Sequence, residues 1–433
     1  MNRPPSELLI DRYQLTMADS YLAQGTADDH VAFELFVREL PRDRGYLIAA
    51  GLESVVAHLS ELRYHEPALR YLERSEIGSP RLIERLRCLR FDGDLDAVGE
   101  GTVVHAGEPL LRVEGRRLLC QLAESYLLNQ VNFQTLIATQ AARLVGAAAG
   151  RPVIDFGFRR AHGGEAGFLA ARCAFIGGCS ATATVAAGFE WGIPTAGTMS
   201  HSFVTGFEHE PAAFEAFLRD QPQRATLLID TYDTLDGARN AILASRATGV
   251  VPQAVRLDSG DVAALARAVR ELLDGAGLDA TQIICSGDLD EYEIERLVAA
   301  EAPIDAFGVG TRLVTGGDVA ALGGVYKLVE SAGRPVMKTS PGKATLPGRH
   351  QVFRSAGGDV IGLADERLPG RALLEPVMRA GGCVRPDPLP AAVREHAAAE
   401  IAALPEVFRR LHDPATVRPA LSPSLAALKE TLM

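Results

Sequence analysis

The sequence predicts an α/β fold: an irregular TIM-like α/β barrel plus a smaller, discontinuous α/β domain from the N- and C-terminal segments. Three observations predict it. Between residues 153 and 311 a short apolar run stops six times in Gly, Asp, Arg, Ser, Thr or His: VIDFGFRR (153–160), IPTAGTMSHS (193–202), TLLIDTYDT (226–234), QAVRLDSGD (253–261), QIICSGD (282–288) and IDAFGVGTR (304–312). Continuous β-branched runs mark parallel strands covered on both faces. Polar residues at the C-terminal ends of such strands are how barrels and open α/β sheets build sites. Second, helical segments separate the runs at roughly 25–35 residues per unit, the rhythm of βαβ repeats. Third, the flanking segments change to short strands and Gly turns.

Taken in order, residues 8–25 (LLIDRYQLTMADSYLAQG) place Leu8, Leu15, Tyr21 and Leu22 near one helical face, with Gly25 as the stop. Residues 31–37 (VAFELFV) read as a strand, and helices follow at about 51–62 and 66–75. The segment 91–115 has turns at Gly93, Gly101 and Gly107 and no helical period, which predicts a small antiparallel sheet. Residues 117–149 predict two helices. After RLDSGD, Ser259 or Asp261 caps a helix whose apolar face is Val262, Leu265, Val269, Leu272 and Leu273, ended by Gly275 or Gly277. The helix after CSGD stops at Pro303, and GVYKLVE (324–330) supplies a seventh strand, favouring a closed or nearly closed barrel. From 335 the chain is turn-rich and basic, then helical and Ala/Pro/Arg-rich beyond about 386. The expected division is an N-terminal α/β segment with a helical linker (1–149), a barrel (150–335), and a C-terminal segment (336–433) packing with the first.

A chain of 433 residues exceeds one ordinary core, which agrees with two domains. With 47% apolar and 23% charged residues it has the balance of a soluble globular protein. The net charge of −11 argues against a broad nucleic-acid-binding face but permits a local basic pocket. The six cysteines (Cys88, Cys120, Cys173, Cys179, Cys285 and Cys383) form no CxxC pair, so buried, reduced thiols are expected rather than a zinc site. The opening MNRPPSELLIDRYQLT lacks the apolar core of a signal peptide. No stretch approaches the ~18 apolar residues of a membrane span. A cytoplasmic location and no membrane partner are expected.

The strand ends carry the chemistry. In SGD (286–288) and GVGTR (308–312), Gly287, Gly308 and Gly310 let backbone N–H groups approach a phosphate, with Ser286, Asp288 and Thr311 beside them. Either loop alone is explained by a tight βα turn; two neighbours on late barrel strands favour phosphate. In RLDSGD (256–261), Arg256 suits a bidentate contact to a carboxylate or phosphate. Asp258 and Asp261 beside phosphate loops suit Mg²⁺. A helix cap explains Asp261 but neither Arg256 nor Asp258. In DFGFRR, Phe156 and Phe158 offer stacking surfaces and Arg159 and Arg160 cations, a match for a flat anionic ring; a surface arginine pair at a strand end explains them equally well. His201 stands with Thr198 and Ser200, open to general base, phosphate contact or nucleophile. Asp230 or Asp233 of DTYDT is placed to orient it. KTSPGKATLPGR (338–349) is a basic loop that either closes over an anion or is simply solvated. These features describe an acidic enzyme with a phosphate-rich substrate, Mg²⁺, a small anionic aromatic and one histidine.

The motifs LLIDRYQLTMADSY, FELFVRELP, RGYLIAAGLE, LLNQVNFQTLIATQAAR, DFGFRRAHG, GTMSHSFV, DTYDTLDG, VRLDSGD, CSGDLDEYEI, FGVGTRL, LGGVYKLVE and KTSPGKATLPGRHQVFR span roughly residues 8–355. In these the chain resembles the nicotinate phosphoribosyltransferase family. The resemblance implies a type II phosphoribosyltransferase fold and a homodimer with shared active sites. It implies the reaction of nicotinate, phosphoribosyl pyrophosphate and ATP with water to nicotinate mononucleotide, pyrophosphate, ADP and phosphate, with Mg²⁺, in NAD salvage. By the same resemblance Tyr13 stacks on the pyridine ring from the partner subunit, Phe156 covers its other face, and Arg159, Thr198 and Arg256 contact nicotinate. His201 is the histidine phosphorylated by ATP. Asp258 and Arg256 join it as catalytic groups, Asp258 also as the acid near Mg²⁺. Ser286, Gly287, Asp288, Gly308, Gly310 and Thr311 form the ribose- and phosphate-binding loops.

One segment departs from the family. After FIGG its members read close to F-D-G-T-S-N-V, whereas this chain has CSATATV (179–185). Ala183 matches the position where nicotinamide-specific relatives carry Asp, so the pocket is not expected to favour an amide. A phosphoribosyltransferase for nicotinamide or another pyridine, and a non-catalytic ligand-binding or regulatory relative, are the alternatives.

Overall fold

The computed structural model describes residues 5–386 and 388–433. The chain divides into two compact units, one comprising Met1–Leu136, Ala321–Pro388 and Ala399–Met433, the other Ile137–Ala320 and Leu389–Ala398.

The first unit is built on a seven-stranded antiparallel sheet. Its order is Arg334–Pro335, Gly324–Ser331, His30–Val37, Pro109–Arg116, Asp94–Val98, Leu374–Arg379 and Gly382–Cys383. His30–Val37 lies inside this sheet and is buried on both faces, Val31, Leu35 and Val37 on one and Ala32 and Glu34 on the other. Burial of Glu34 is tolerated because its carboxylate accepts from His350 N at 2.8 Å and meets His350 Nδ1 at 2.6 Å. A four-stranded sheet (Arg371–Ala372, His350–Ser355, Gly358–Leu363, Ala420–Leu421) completes the strand content contributed by the C-terminal part. The helices Arg12–Gln24, Glu66–Arg74 and Pro80–Arg87 pool Leu15, Leu69, Leu72, Leu82 and Leu86 with Leu118, Leu119 and Leu122 in one apolar cluster.

Two expectations are corrected here. GVYKLVE does form a strand, Gly324–Ser331, but it pairs antiparallel with His30–Val37 and is no part of the barrel. Lys327 and Glu330 interrupt its apolar run, which a strand covered on both faces by helices cannot accommodate. Residues 117–147 form one helix, Arg117–Ala147, rather than two. No proline or glycine occurs in it before Gly146, so nothing breaks its hydrogen-bond ladder.

In the second unit six strands are all parallel, in the order Ala181–Thr182, Val153–Asp155, Ala306–Val309, Gln282–Cys285, Ala254–Leu257 and Thr226–Leu228. The last strand in sequence pairs with the first, Phe307 opposite Val153 and Val309 opposite Asp155. That return curls the sheet as a barrel requires. A single parallel bridge, Thr182 to Thr195, extends the other edge. The seam lies between residue 195 and Thr226–Leu228. The expected strand at 193–202 is thus reduced to that one bridge, because Pro194 and Gly197 disfavour a ladder. Its place is taken by Ala181–Thr182. Of the two cap candidates, Asp261 takes the role, its Oδ1 accepting from Ala264 N at 3.2 Å; in the next helix Asp290 Oδ1 accepts from Glu293 N at 2.9 Å. Four cysteines are buried, but Cys88 and Cys383 are exposed.

In the first unit the His58 ring stacks on Tyr126, centroids 3.7 Å apart. Burial pushes its pKa down to about 4, against a smaller opposing pull from Glu7. The unfolded chain therefore takes up this proton first as pH falls. The contribution is complete above the ordinary histidine value and is lost on descending toward pH 4, by about 3 kcal/mol. Urea midpoints at pH 7.5 and 5 should show a smaller acid loss in His58→Phe, which keeps the stack but cannot titrate; equal losses would refute the assignment.

Candidate active site

The C-terminal ends of the parallel strands open onto a cleft of about 640 Å³. It is lined by Phe156, Arg159 and Arg160 after the first strand, Ala183 after the second, and Gly197, Thr198, Met199, Ser200 and His201 from the following loop. Arg256 and Asp258, then Ser286, Gly287 and Asp288, and finally Gly308, Gly310 and Thr311 complete the wall. Every residue that the family resemblance assigned to the site, except Tyr13, lines this one cleft; Phe158, Asp230, Asp233 and Asp261 are not among its lining residues. Parallel strands bring this about, since each delivers its C-terminal loop to the same end.

Arg256 anchors the end of the cleft that carries Phe156 and Thr198. Its Nη1 donates to Thr198 Oγ1, and its guanidinium carbon lies 5.9 Å from the centre of the Phe156 ring. Burial lowers its pKa from the ordinary arginine value, Asp258 and Asp230 oppose that, and Arg159 adds to it. It remains a cation, as arginine does in proteins. Its Nε–H is buried without an acceptor. At the other end Ser286 Oγ donates to Asp258 Oδ1, locking the 286–288 turn to the RLDSGD turn.

Asp230 does not orient His201. Its Oδ2 accepts from Asp258 N at 2.9 Å and Ser259 Oγ at 2.8 Å, bracing the RLDSGD turn, while Asp233 caps the helix Thr234–Thr248. His201 Nδ1 instead meets Thr231 Oγ1 at 3.2 Å. One oxygen of each carboxylate is taken up by a backbone N–H group, which the sequence pattern alone did not reveal. His201 itself is exposed at the start of the short helix His201–Thr205.

Comparison with known proteins gives this geometry its context. Residues 8–132 match the nicotinate phosphoribosyltransferase N-terminal domain and residues 366–429 the corresponding C-terminal domain. A nicotinate phosphoribosyltransferase of Mycobacterium tuberculosis is 44% identical over 414 residues, covering 94% of this chain and 89% of that one. The Bacillus subtilis enzyme is 42% identical over 378 residues, 83% of this chain and 77% of that one. The chain belongs to the nicotinate phosphoribosyltransferase family. The crystal structure of human nicotinic acid phosphoribosyltransferase superposes with a TM-score of 0.89 at 30% identity, covering 98% of this chain and all of that one.

Within this family member the glycines of the cleft have specific steric reasons. A Cβ on Gly308 would lie 2.3 Å from the Phe156 ring, so the ring occupies the space a side chain would take. Gly287 has φ +93, and a Cβ there would lie 2.0 Å from Asp258 O. Tyr13 lies in the first unit, 49% exposed on the helix Arg12–Gln24. Gln14 Nε2 donates to its hydroxyl at 3.2 Å. Partial burial, then Glu124, raises its pKa to about 12, so the phenol stays neutral.

The sequence reading missed Asp155 and Thr182. Asp155 is 1% exposed, and its pKa is raised by burial although Thr182 and the Gly157 N–H pull it down. It stands inside DFGFRR, so the signal was an acid closing an otherwise apolar strand.

Proposed function

We propose that the cleft of the second unit joins nicotinate to phosphoribosyl pyrophosphate, giving nicotinate mononucleotide and pyrophosphate, with ATP phosphorylating His201. The observation that carries this is the convergence, in one cleft, of an aromatic face, a buried arginine, two glycine loops and one exposed histidine.

Phe156 takes one face of the pyridine ring. Arg256, with its unfilled Nε–H and its hold on Thr198, receives the carboxylate. Ala183 brings no acceptor for an amide N–H₂ to the cleft, which supports the acid over nicotinamide. The loops 286–288 and 308–311 present N–H groups and hydroxyls to the ribose and phosphates. The C1–pyrophosphate bond breaks with oxocarbenium character as the ring nitrogen, which carries no proton at neutral pH, bonds to C1. Holding both reactants in one cleft supplies much of the acceleration.

Asp258 would hold Mg²⁺ together with the substrate's pyrophosphate, and Asp230 fits beside it because its Oδ1 is buried without a partner. Mg²⁺ commonly uses one or two carboxylates plus phosphates. When bound it would stabilise charge on the departing pyrophosphate. The exposed Tyr13, together with Val185 and Phe189 at 75% and 89% exposure, supports a homodimer in which a second copy's Tyr13 covers the open face of the ring.

The test is formation of nicotinate mononucleotide by purified protein with Mg²⁺, with and without ATP, and with nicotinamide in place of nicotinate. Absence of product over a range of substrate concentrations refutes the reading. His201→Gln is expected to abolish ATP-derived phosphate on the protein by mass analysis and to remove ATP stimulation, while slower ATP-independent turnover persists. Stimulation that survives would assign the phosphoryl acceptor elsewhere.

A further inference from the structure

Two buried side chains that do not line the cleft tie together the three segments of its ring end. Gly157 N donates to Asp155 Oδ1 at 2.7 Å, and Thr182 Oγ1 donates to Asp155 Oδ2 at 2.6 Å. Thr184 N donates to Thr182 Oγ1 at 3.0 Å, so the hydroxyl both gives and accepts. The backbone of Thr182 reaches the third segment: its N–H donates to Pro194 O and its C=O accepts from Ala196 N, each at 3.0 Å. Ala183 N donates to Asp155 O at 2.7 Å. Asp155 and Thr182 are each 1% exposed.

We propose that Thr182, held by Asp155, is the positioning residue that sets the ring pocket, fixing the Phe156 turn against Ala183 and the segment bearing Thr198. One hydroxyl joins the turn carrying Phe156 and Arg159 to the loop carrying Ala183, and the same residue's backbone holds the segment that leads to Thr198 and His201. The hydroxyl has one proton, and donating it to Asp155 leaves its lone pairs for Thr184 N–H, so the direction of the relay is set. Buried polar groups in such a chain are each satisfied only while all members are present. The loop at Ser286–Asp288 follows a strand that pairs with neither strand of this relay, whereas the 308–311 loop follows the strand paired with Val153–Asp155, so the phosphoribosyl end is coupled to the relay through only one of its two loops.

The inference rests on the nicotinate reading of the cleft. The two fail differently: if that reading is wrong, the unmodified chain makes no nicotinate mononucleotide. Thr182→Val keeps the shape and backbone bonds but removes the hydroxyl, leaving Asp155 Oδ2 and Thr184 N–H without partners. Thr182→Ser keeps the relay. Asp155→Asn keeps an acceptor for Gly157 N–H but offers Thr182 an N–H in place of an acceptor. In steady-state assays of the full chain, Thr182→Val is expected to raise KM for nicotinate about 10- to 100-fold, the scale of small misplacements in a site. KM for phosphoribosyl pyrophosphate should rise distinctly less than KM for nicotinate, Thr182→Ser should return nicotinate KM to near the unmodified value, and Asp155→Asn should raise it less than Thr182→Val. Unchanged nicotinate KM in both Thr182→Val and Asp155→Asn, or equal losses for both substrates, overturns the proposal. If Thr182→Val does not fold, Asp155→Asn decides the matter by the same KM comparison.

Discussion

Replacing Arg256 by Leu is expected to lower kcat/KM for nicotinate by about 30-fold to several thousandfold, the range for truncating one member of a desolvated charge pair. The cation sits beside the Phe156 ring and holds Thr198, so its loss removes the proposed charge partner of the substrate carboxylate together with the hold on Thr198. Asp258 and Asp230, which now face Arg256, would be left with less compensating charge. Arg256→Lys should recover only part of the loss, because an ammonium cannot make the planar two-pronged contact. The decisive measurement is the acid-to-amide ratio of kcat/KM. Losing a carboxylate partner should penalise nicotinate far more than nicotinamide, and an unchanged ratio would remove Arg256 from carboxylate recognition.

Gly287→Ala is expected to lower turnover by about 100-fold or more, since displacement of a site by about 1 Å costs on that order. The new Cβ would stand 2.0 Å from Asp258 O at a φ of +93. The obstacle is backbone, so no rotamer change relieves it. The two turns must move apart, breaking the Ser286–Asp258 hydrogen bond that joins them. Because the displaced loops are those assigned to the phosphoribosyl group, KM for phosphoribosyl pyrophosphate should rise more than KM for nicotinate. Gly275→Ala is the control. It lies at the end of the helix Val262–Gly275 with nothing near its added carbon, and should leave activity intact. Equal behaviour of the two variants would refute the steric argument.

Much of this site was legible because parallel strands write their chemistry locally. Five of the six apolar runs in the barrel region end at or near their strand ends, so DFGFRR, RLDSGD, SGD and GVGT could be recognised as cleft-lining before any contact was known. The errors share a cause. Gly324–Ser331 was assigned to the barrel by its place after the sixth run, yet its partners are His30–Val37 and Arg334–Pro335. A short strand's sequence does not record which sheet takes it. Asp230 and Asp233 were expected near His201 because acids orient histidines. Asp233 instead caps its own helix, and one oxygen of Asp230 braces the RLDSGD turn, a choice made by backbone geometry.

By itself the sequence determined the α/β class, the cap of the helix after RLDSGD as Ser259 or Asp261, the resemblance to the family and most of the residues that line the cleft. These depend on residue type and local spacing, which a linear chain preserves. Only the tertiary structure decided that Ala306–Val309 returns to pair with Val153–Asp155, that Phe156 occupies the space left open by Gly308, and that Asp155 and Thr182 join the ring-end segments. Those contacts link residues far apart in the chain, and their energies depend on distance and desolvation, which exist only once the sheet has curled.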